Sequence, residues 1–243
     1  MNKVEILTRL RHPNLVSSNA APPATTASSS AYEYISNGTI DDYLHGDRAK
    51  PGSFSYTTRM SIAFETASVL AYLHASDVIH HDVKTNNILL NNNFFIKGAD
   101  FGLSSLFPTN LTHVSLAPQV TLGYVDSEYH ECYQLTNKSD VYSFGVALIE
   151  LISSKPVVDI TRLRHEINLS NMAINKIQNH ELHDLVDPCL GFESDYKVRE
   201  IITVVAKLAF WCLENEKDMR PSMKEVLEIL KEISSVGYDR KVA

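Results

Sequence analysis

The most constraining feature of the sequence is a stretch from Ser139 to Ser154 that is apolar around nearly the whole circumference of a helix. A helix on a protein surface carries a polar face, so a helix that is apolar on all sides is expected inside a helical core. Pro156 ends this helix, because proline cannot continue the backbone hydrogen bonding. The chain therefore has to supply further helices that surround this one.

Three other patterns predict helices. Residues 60–73 repeat apolar side chains at helical spacing and predict a long amphipathic helix. A second apolar stripe runs from Val198 to Leu213. Ser222 and Glu225 form a capping box, which predicts the start of a last helix.

The first forty residues contain little that predicts a sheet. Spacing in residues 4–10 favours one short helix. Residues 17–31 carry neither a charge nor a large apolar side chain, which predicts a flexible loop.

The next segments do carry strand and turn patterns. After residue 31 we expect a short strand, a turn at Asn37-Gly38 and a short helix. Residues 88–97 predict a β-hairpin with its turn at residues 91–93.

Composition argues against a nucleic-acid partner, a membrane span and a cysteine-based structural site. The net charge of -7 argues against a nucleic-acid partner, since such surfaces carry clustered Lys and Arg. No apolar run is long enough to span a bilayer, so no membrane span is expected in this chain. Cys132, Cys189 and Cys212 are widely spaced without a C-x-x-C, which predicts neither a disulfide framework nor a zinc site.

Two stretches hold the residue types of phosphoryl transfer: V-I-H-H-D-V-K-T-N-N at residues 78–87, and A-D-F-G after the hairpin. This chemistry needs a carboxylate that orients the attacking hydroxyl, cations near the phosphate, and oxygen ligands for magnesium. Asp82 suits the first role and Lys84 the second. Asn87 and Asp100 suit the third.

These motifs, followed by D-S-E-Y, S-D-V-Y-S-F-G and D-M-R-P-S-M, have the order and spacing of eukaryotic protein kinases. The sequence resembles plant receptor-like serine/threonine kinases of the leaf-rust-resistance and wall-associated type. The resemblance implies an α+β, protein-kinase-like fold with a largely α-helical C-lobe. It also implies ATP and Mg²⁺ as cofactors, with Asp82 and Lys84 as catalytic residues and Asn87 and Asp100 as metal ligands.

The resemblance assigns further residues. It places the gatekeeper at Tyr32 and the adenine-binding hinge at Glu33, Tyr34 and Ile35. It implies that Asp140 hydrogen-bonds the backbone of the catalytic loop and that Glu128 pairs with Arg220. The ATP-contacting set is then Tyr32, Glu33, Tyr34, Ile35, Lys84, Asn87 and Asp100.

The sequence also departs from the family pattern. It contains no G-x-G and no V-A-I-K, which the family uses to hold the phosphates of ATP, and His81 replaces an Arg. We expect a vestigial N-lobe: residues 1–31 as its remnant, with a helix and a low-complexity loop, and residues 32–38 as the hinge. Residues 39–235 are then the C-lobe, and residues 236–243 a C-terminal tail.

Three functions are compatible with these patterns. The first is a protein serine/threonine kinase of reduced activity, located in the cytoplasm, as the cytoplasmic-side kinase domains of the family imply. The second is a pseudokinase or kinase fragment that binds a protein substrate or signalling partner. The third treats His81-Asp82 as the H-D pair of a metal phosphohydrolase, with His80 or Asp100 as further ligands, but that pair normally lies on a helix.

Overall fold

The computed structural model describes residues 10–15, 18–19, 31–32, 37–92, 94–98, 105–106, 114–115, 121–126 and 134–238. Helices dominate the described residues, and the strands among them are only two or three residues long. The predicted α+β class with a largely helical C-lobe is therefore confirmed. The helices are α1 (Ile40–Leu44), α2 (Tyr56–Ala75), α3 (Asn137–Ser153), α4 (Leu169–Gln178), α5 (Leu182–Leu185), α6 (Tyr196–Cys212) and α7 (Met223–Tyr238).

Helix α3 is the centre of the core, as its apolar circumference predicts. It packs against α2, α4 and α6, and nearly all of its side chains are buried. Gly145 permits the close approach of α6, because a Cβ atom at this position would lie 2.8 Å from the Cβ of Cys212. The helix is capped after Ser153 by Ser154, which adopts a left-handed conformation with φ 52°.

Helix α2 lies between α3 and α7 and carries a buried cation. The guanidinium of Arg59 donates to the carbonyl of Leu151 at 2.8 Å and to the carboxylate of Asp187 at 2.7 Å. Burial raises the pKa of Asp187, but hydrogen bonds from Ser154, from the Cys189 N–H and from Arg59 lower it by more, so its pKa lies below the ordinary value. The hydrogen bonds of the Arg59 guanidinium thus connect α2 to the C-terminal end of α3.

The capping box predicted before the last helix is present. The Ser222 N–H donates to the Glu225 carboxylate at 2.7 Å, and the Glu225 N–H donates to the Ser222 hydroxyl at 3.3 Å. Helix α7 then runs to Tyr238, so it enters the segment 236–243 that was predicted to be a tail.

The strands within the described residues form four antiparallel pairs. Strand β1 (Ser18–Asn19) pairs with β2 (Ala31–Tyr32), and β3 (Val78–Ile79) pairs with β6 (Ser105–Leu106). Strand β4 (Ile88–Leu90) pairs with β5 (Ile96–Gly98) in the register Leu89 to Lys97, and β7 (Val114–Ser115) pairs with β8 (Gln134–Leu135). The β4–β5 hairpin is the pair that the sequence predicted.

Two expectations about these segments need correction. The predicted loop at residues 17–31 carries β1 and the first residue of β2 at its two ends, because backbone pairing does not require apolar side chains. The hairpin turn is also longer than predicted. The Asn91 side chain accepts from the Phe95 N–H at 3.0 Å and Phe94 has φ 60°, so β5 begins at Ile96 rather than at Phe94.

Candidate active site

The buried helix α3 fixes the loop between β3 and β4 by hydrogen bonds to the backbone of that loop. The carboxylate of Asp140 accepts from the N–H of His80 and the N–H of His81, each at 2.8 Å. It also accepts from His74 Nε2 at 2.9 Å. The hydrogen bonds that the resemblance implied for Asp140 are therefore present.

The charge of Asp140 is sustained in a fully buried position. Burial raises its pKa, but the hydrogen bond from His74 and the nearby His74, His80 and His81 lower it by more, so its pKa lies below the ordinary value. His81 itself has φ 70° and is buried. The loop thus takes an unfavourable backbone conformation at a position where Asp140 fixes its N–H groups.

Asp82 lies at the centre of a cluster of polar contacts. Its Oδ2 accepts from Lys84 Nζ and from Asn87 Nδ2, each at 2.8 Å. Its Oδ1 accepts from the Thr121 hydroxyl at 2.9 Å, and Lys84 Nζ donates to the same hydroxyl at 2.9 Å. The structure therefore brings together three residues that the sequence proposed for the site and adds Thr121 from a distant segment.

Asn87 is oriented by the backbone as well as by the carboxylate. It closes the 3₁₀ turn Thr85–Asn87, and its Nδ2 also donates to the carbonyl of Asp82 at 2.8 Å. With its nitrogen used in this way, its amide oxygen is the atom left for a cation. Because Mg²⁺ prefers oxygen ligands, Asn87 fits the role of a magnesium ligand.

Five further site residues follow from the resemblance. Asp100, Glu33, Tyr34 and Ile35 lie outside the described residues. For Tyr32 the structure gives only its place in β2.

A buried polar network, which the sequence reasoning missed, lies beneath this cluster. Tyr124 donates its hydroxyl to the carboxylate of Glu150 on α3, and the Thr85 hydroxyl donates to the same carboxylate at 3.2 Å. His45 Nε2 lies 3.0 Å from Glu150 Oε1. In the sequence, Glu150 is the one charged residue within the apolar run V-A-L-I-E-L-I. The residues that bind its carboxylate come from three separate segments, so the sequence does not reveal them.

The pKa shifts in this network follow from burial. Burial raises the pKa of Glu150, and hydrogen bonds from His45, Tyr124 and Thr85 offset only part of the rise. Burial and the neighbouring Glu150 carboxylate raise the pKa of Tyr124. Tyr124 therefore stays protonated and acts as the donor.

Arg220 anchors the far end of the segment 121–126. Its guanidinium pairs with Asp126 and donates to the carbonyls of Glu214 at 2.7 Å and Asn215 at 3.0 Å. The expected partner, Glu128, lies outside the described residues. Within the part of the chain that is described, the carboxylate bound to Arg220 is that of Asp126.

The geometry does not favour a phosphohydrolase. His80 Nδ1 accepts from the Asp82 N–H at 3.3 Å, and the Asp82 carboxylate is bound by Lys84, Asn87 and Thr121. Among the described residues, the donor atoms of His81 and Asp82 do not converge with a third possible metal ligand. The H-D pair also lies in a loop rather than on a helix.

Comparison with known sequences agrees with this geometry. A family model described as the protein kinase domain matches residues 1–230. The chain belongs to the protein kinase family.

The relatives identify the branch of the family. The chain is 60% identical over 238 residues to the leaf rust 10 disease-resistance locus receptor-like protein kinase-like 1.2 of Arabidopsis thaliana, which covers 98% of this chain and 37% of that protein. It is 43% identical over 241 residues to the wall-associated receptor kinase-like 14 of the same plant, covering 98% of this chain and 34% of that protein. The resemblance to plant receptor-like kinases is confirmed, and the chain spans little more than a third of the length of these relatives.

In the described ranges, no helix combines the length and the apolar character that a transmembrane span requires.

Proposed function

We propose that this chain transfers the γ-phosphate of ATP to Ser or Thr side chains of a protein substrate. Asp82 would orient the attacking hydroxyl and receive its proton, and Lys84 would lie against the transferred phosphate. Asn87 and Asp100 would hold Mg²⁺, which when bound neutralises charge on the phosphates. The observation that carries the proposal is the convergence of Lys84, Asn87 and Thr121 on the Asp82 carboxylate.

The hydroxyl of Thr121 supports the assignment of the acceptor. It lies 2.9 Å from Asp82 Oδ1 and 2.9 Å from Lys84 Nζ. These two groups can therefore hold an aliphatic alcohol at hydrogen-bond distance, which is the geometry that a general base requires. Lys84 also supplies the positive charge that a phosphoryl group would meet.

The binding site for ATP is proposed on the resemblance. Tyr32 and Glu33 to Ile35 would contact the adenine, and Lys84, Asn87 and Asp100 would face the phosphates. The protein substrate or signalling partner would be cytoplasmic, as expected for the kinase domain of a receptor-like kinase.

We also propose that the 243-residue chain turns over slowly. Residues 1–243 contain no G-x-G and no V-A-I-K, the motifs with which the family holds the phosphates of ATP. Loss of one preorganised electrostatic group commonly costs ~10²–10³ in rate. His81 in place of Arg would further weaken any response to a phosphate on the activation segment, because imidazole cannot grip a phosphate bidentately.

The test is transfer of labelled γ-phosphate from Mg-ATP to a general protein acceptor such as casein. Wild type should incorporate more phosphate than Asp82→Asn, which keeps the size of the side chain but removes the base. Asp47→Asn is the matched control, because Asp47 is exposed. The label should lie on phosphoserine or phosphothreonine.

Equal incorporation by wild type and Asp82→Asn would refute the enzyme and favour the binding module. Thermal unfolding with and without Mg-ATP then separates two cases, since a ligand that binds the folded state raises the unfolding temperature. A rise that is lost in Asp100→Ala would indicate nucleotide binding without turnover. No rise would indicate a lobe that acts through protein contacts alone.

A further inference from the structure

A second group of metal-binding side chains lies beneath the active-site loop, between α1 and α3. Asp41 lies in the first turn of α1 and His45 is its C-cap, four residues later, and Glu150 faces them from the buried helix. One donor atom from each of the three side chains lies within 4.8 Å of the other two. None of these residues belongs to the set Asp82, Asn87 and Asp100 proposed above.

The distances suit a small divalent cation. His45 Nε2 and Glu150 Oε1 are 3.0 Å apart. Two donors in a tetrahedral zinc site, each about 2.0–2.1 Å from the metal, lie about 3.3 Å apart. A cation can therefore replace the hydrogen bond between these two atoms with little movement, and a rotation of the half-buried Asp41 side chain completes three protein ligands.

Glu150 is preorganised for this role. Its side chain is only 1% exposed, and Tyr124 holds the oxygen that does not face His45. The oxygen that faces His45, Oε1, also accepts from the Thr85 hydroxyl at 3.2 Å, so its position is fixed from a second side. A divalent cation beside this buried carboxylate would be attracted strongly, because water screens charge weakly there.

The ligand types select the metal. One imidazole and two carboxylates are acceptable to zinc, whereas Mg²⁺ prefers oxygen ligands alone. Asp41 and His45 are only partly buried, so water can reach the cluster and fill a fourth position. We propose that Asp41, His45 and Glu150 form a zinc site that clamps α1 to α3.

Binding of zinc would reach the active-site segment through Glu150. The same carboxylate accepts from Tyr124, and from Thr85 at 3.2 Å, so the cation would tie α1, α3 and the loop into one unit. The expected result is a higher unfolding temperature for the whole chain in zinc.

The test uses the metal-free full chain titrated with ZnCl₂ by calorimetry, with MgCl₂ in parallel. Wild type should bind one zinc ion more tightly than His45→Gln or Asp41→Asn by at least ~10-fold, since even outer-shell changes cost ~10–100-fold at metal sites. Gln at position 45 keeps a donor for Glu150, so the fold should survive. His183→Gln is the matched control, because His183 also lies beside a carboxylate, 3.3 Å from Asp184, but outside the cluster.

A second readout identifies the geometry. Cobalt substituted for zinc should give intense visible absorption in wild type and His183→Gln, and weak absorption in the two cluster variants. Equal zinc affinity in all four proteins, or no zinc binding by wild type, would overturn the proposal. Neither measurement involves ATP, so both are independent of the proposed kinase activity.

Discussion

Removal of the Asp140 carboxylate should destabilise the chain more than any change to an exposed acid. Asp140 is 1% exposed and satisfies the N–H groups of His80 and His81, each at 2.8 Å. Asp140→Ala leaves both N–H groups buried without this acceptor. At ~1–3 kcal/mol for each unsatisfied group, the expected loss is ~2–6 kcal/mol of unfolding free energy.

The isosteric variant gives a graded result. Asn at position 140 keeps one oxygen acceptor and turns its amide nitrogen toward the other donor, so the expected loss is ~1–3 kcal/mol. Both losses are large against a typical domain stability of ~5–15 kcal/mol. Urea unfolding followed by far-ultraviolet circular dichroism measures them, and Asp47→Asn should stay within ~0.5 kcal/mol of wild type.

The pH dependence provides a further check. Because the pKa of Asp140 is lowered in the folded chain, its stabilisation is present above the unfolded pKa and is lost as the pH falls through the folded pKa. The difference between wild type and Asp140→Asn should therefore shrink in acid, below about pH 4. An Asp140→Ala protein as stable as wild type, or a difference independent of pH, would refute the reasoning.

Two further predictions concern the anchors of the helical lobe. Arg220→Met removes the guanidinium from the buried Asp126 carboxylate and should reduce stability by ~3–5 kcal/mol, and the double variant Arg220→Met/Asp126→Leu should recover most of it in urea unfolding. Failure to recover would show that the pair is not the source of the loss. Glu225→Gln should lower the unfolding temperature at neutral pH. The lowered pKa of Glu225, caused by hydrogen bonds from the Ser222 N–H and hydroxyl, means that this capping contribution disappears as the pH falls through its folded pKa, so the two proteins should unfold alike in acid. A difference that persists in acid would contradict the capping role.

The sequence predicted best those features whose signals are local. Helix α3 follows from its apolar circumference, and α7 begins where Ser222 and Glu225 can cap it. Asp82, Lys84 and Asn87 also lie within six residues of one another, so one loop and one 3₁₀ turn suffice to bring them together.

Features that form between segments far apart in the chain could not be predicted from the sequence. Strands β3 and β6, like β7 and β8, are two residues long and carry no periodic pattern. The charge of Glu150 is visible in the sequence, but its contacts with His45, Thr85 and Tyr124 arise only when α1, the loop and the segment 121–126 pack around α3. Tertiary packing decides such contacts, and single-sequence patterns do not encode it.

The central helix also sets the spacing between the two parts of the site. Asp140 holds the loop between β3 and β4 and Glu150 holds Tyr124, and the two carboxylates are ten residues apart on one rigid helix, or about 15 Å along its axis. Helix α3 therefore fixes both the distance between the carboxylates of Asp140 and Glu150 and the relative directions in which they point. A single residue inserted between them would rotate one anchor by about 100° and turn a buried carboxylate into the apolar core. We therefore expect the part of α3 between Asp140 and Glu150 to accept substitutions of its apolar side chains far better than insertions or deletions.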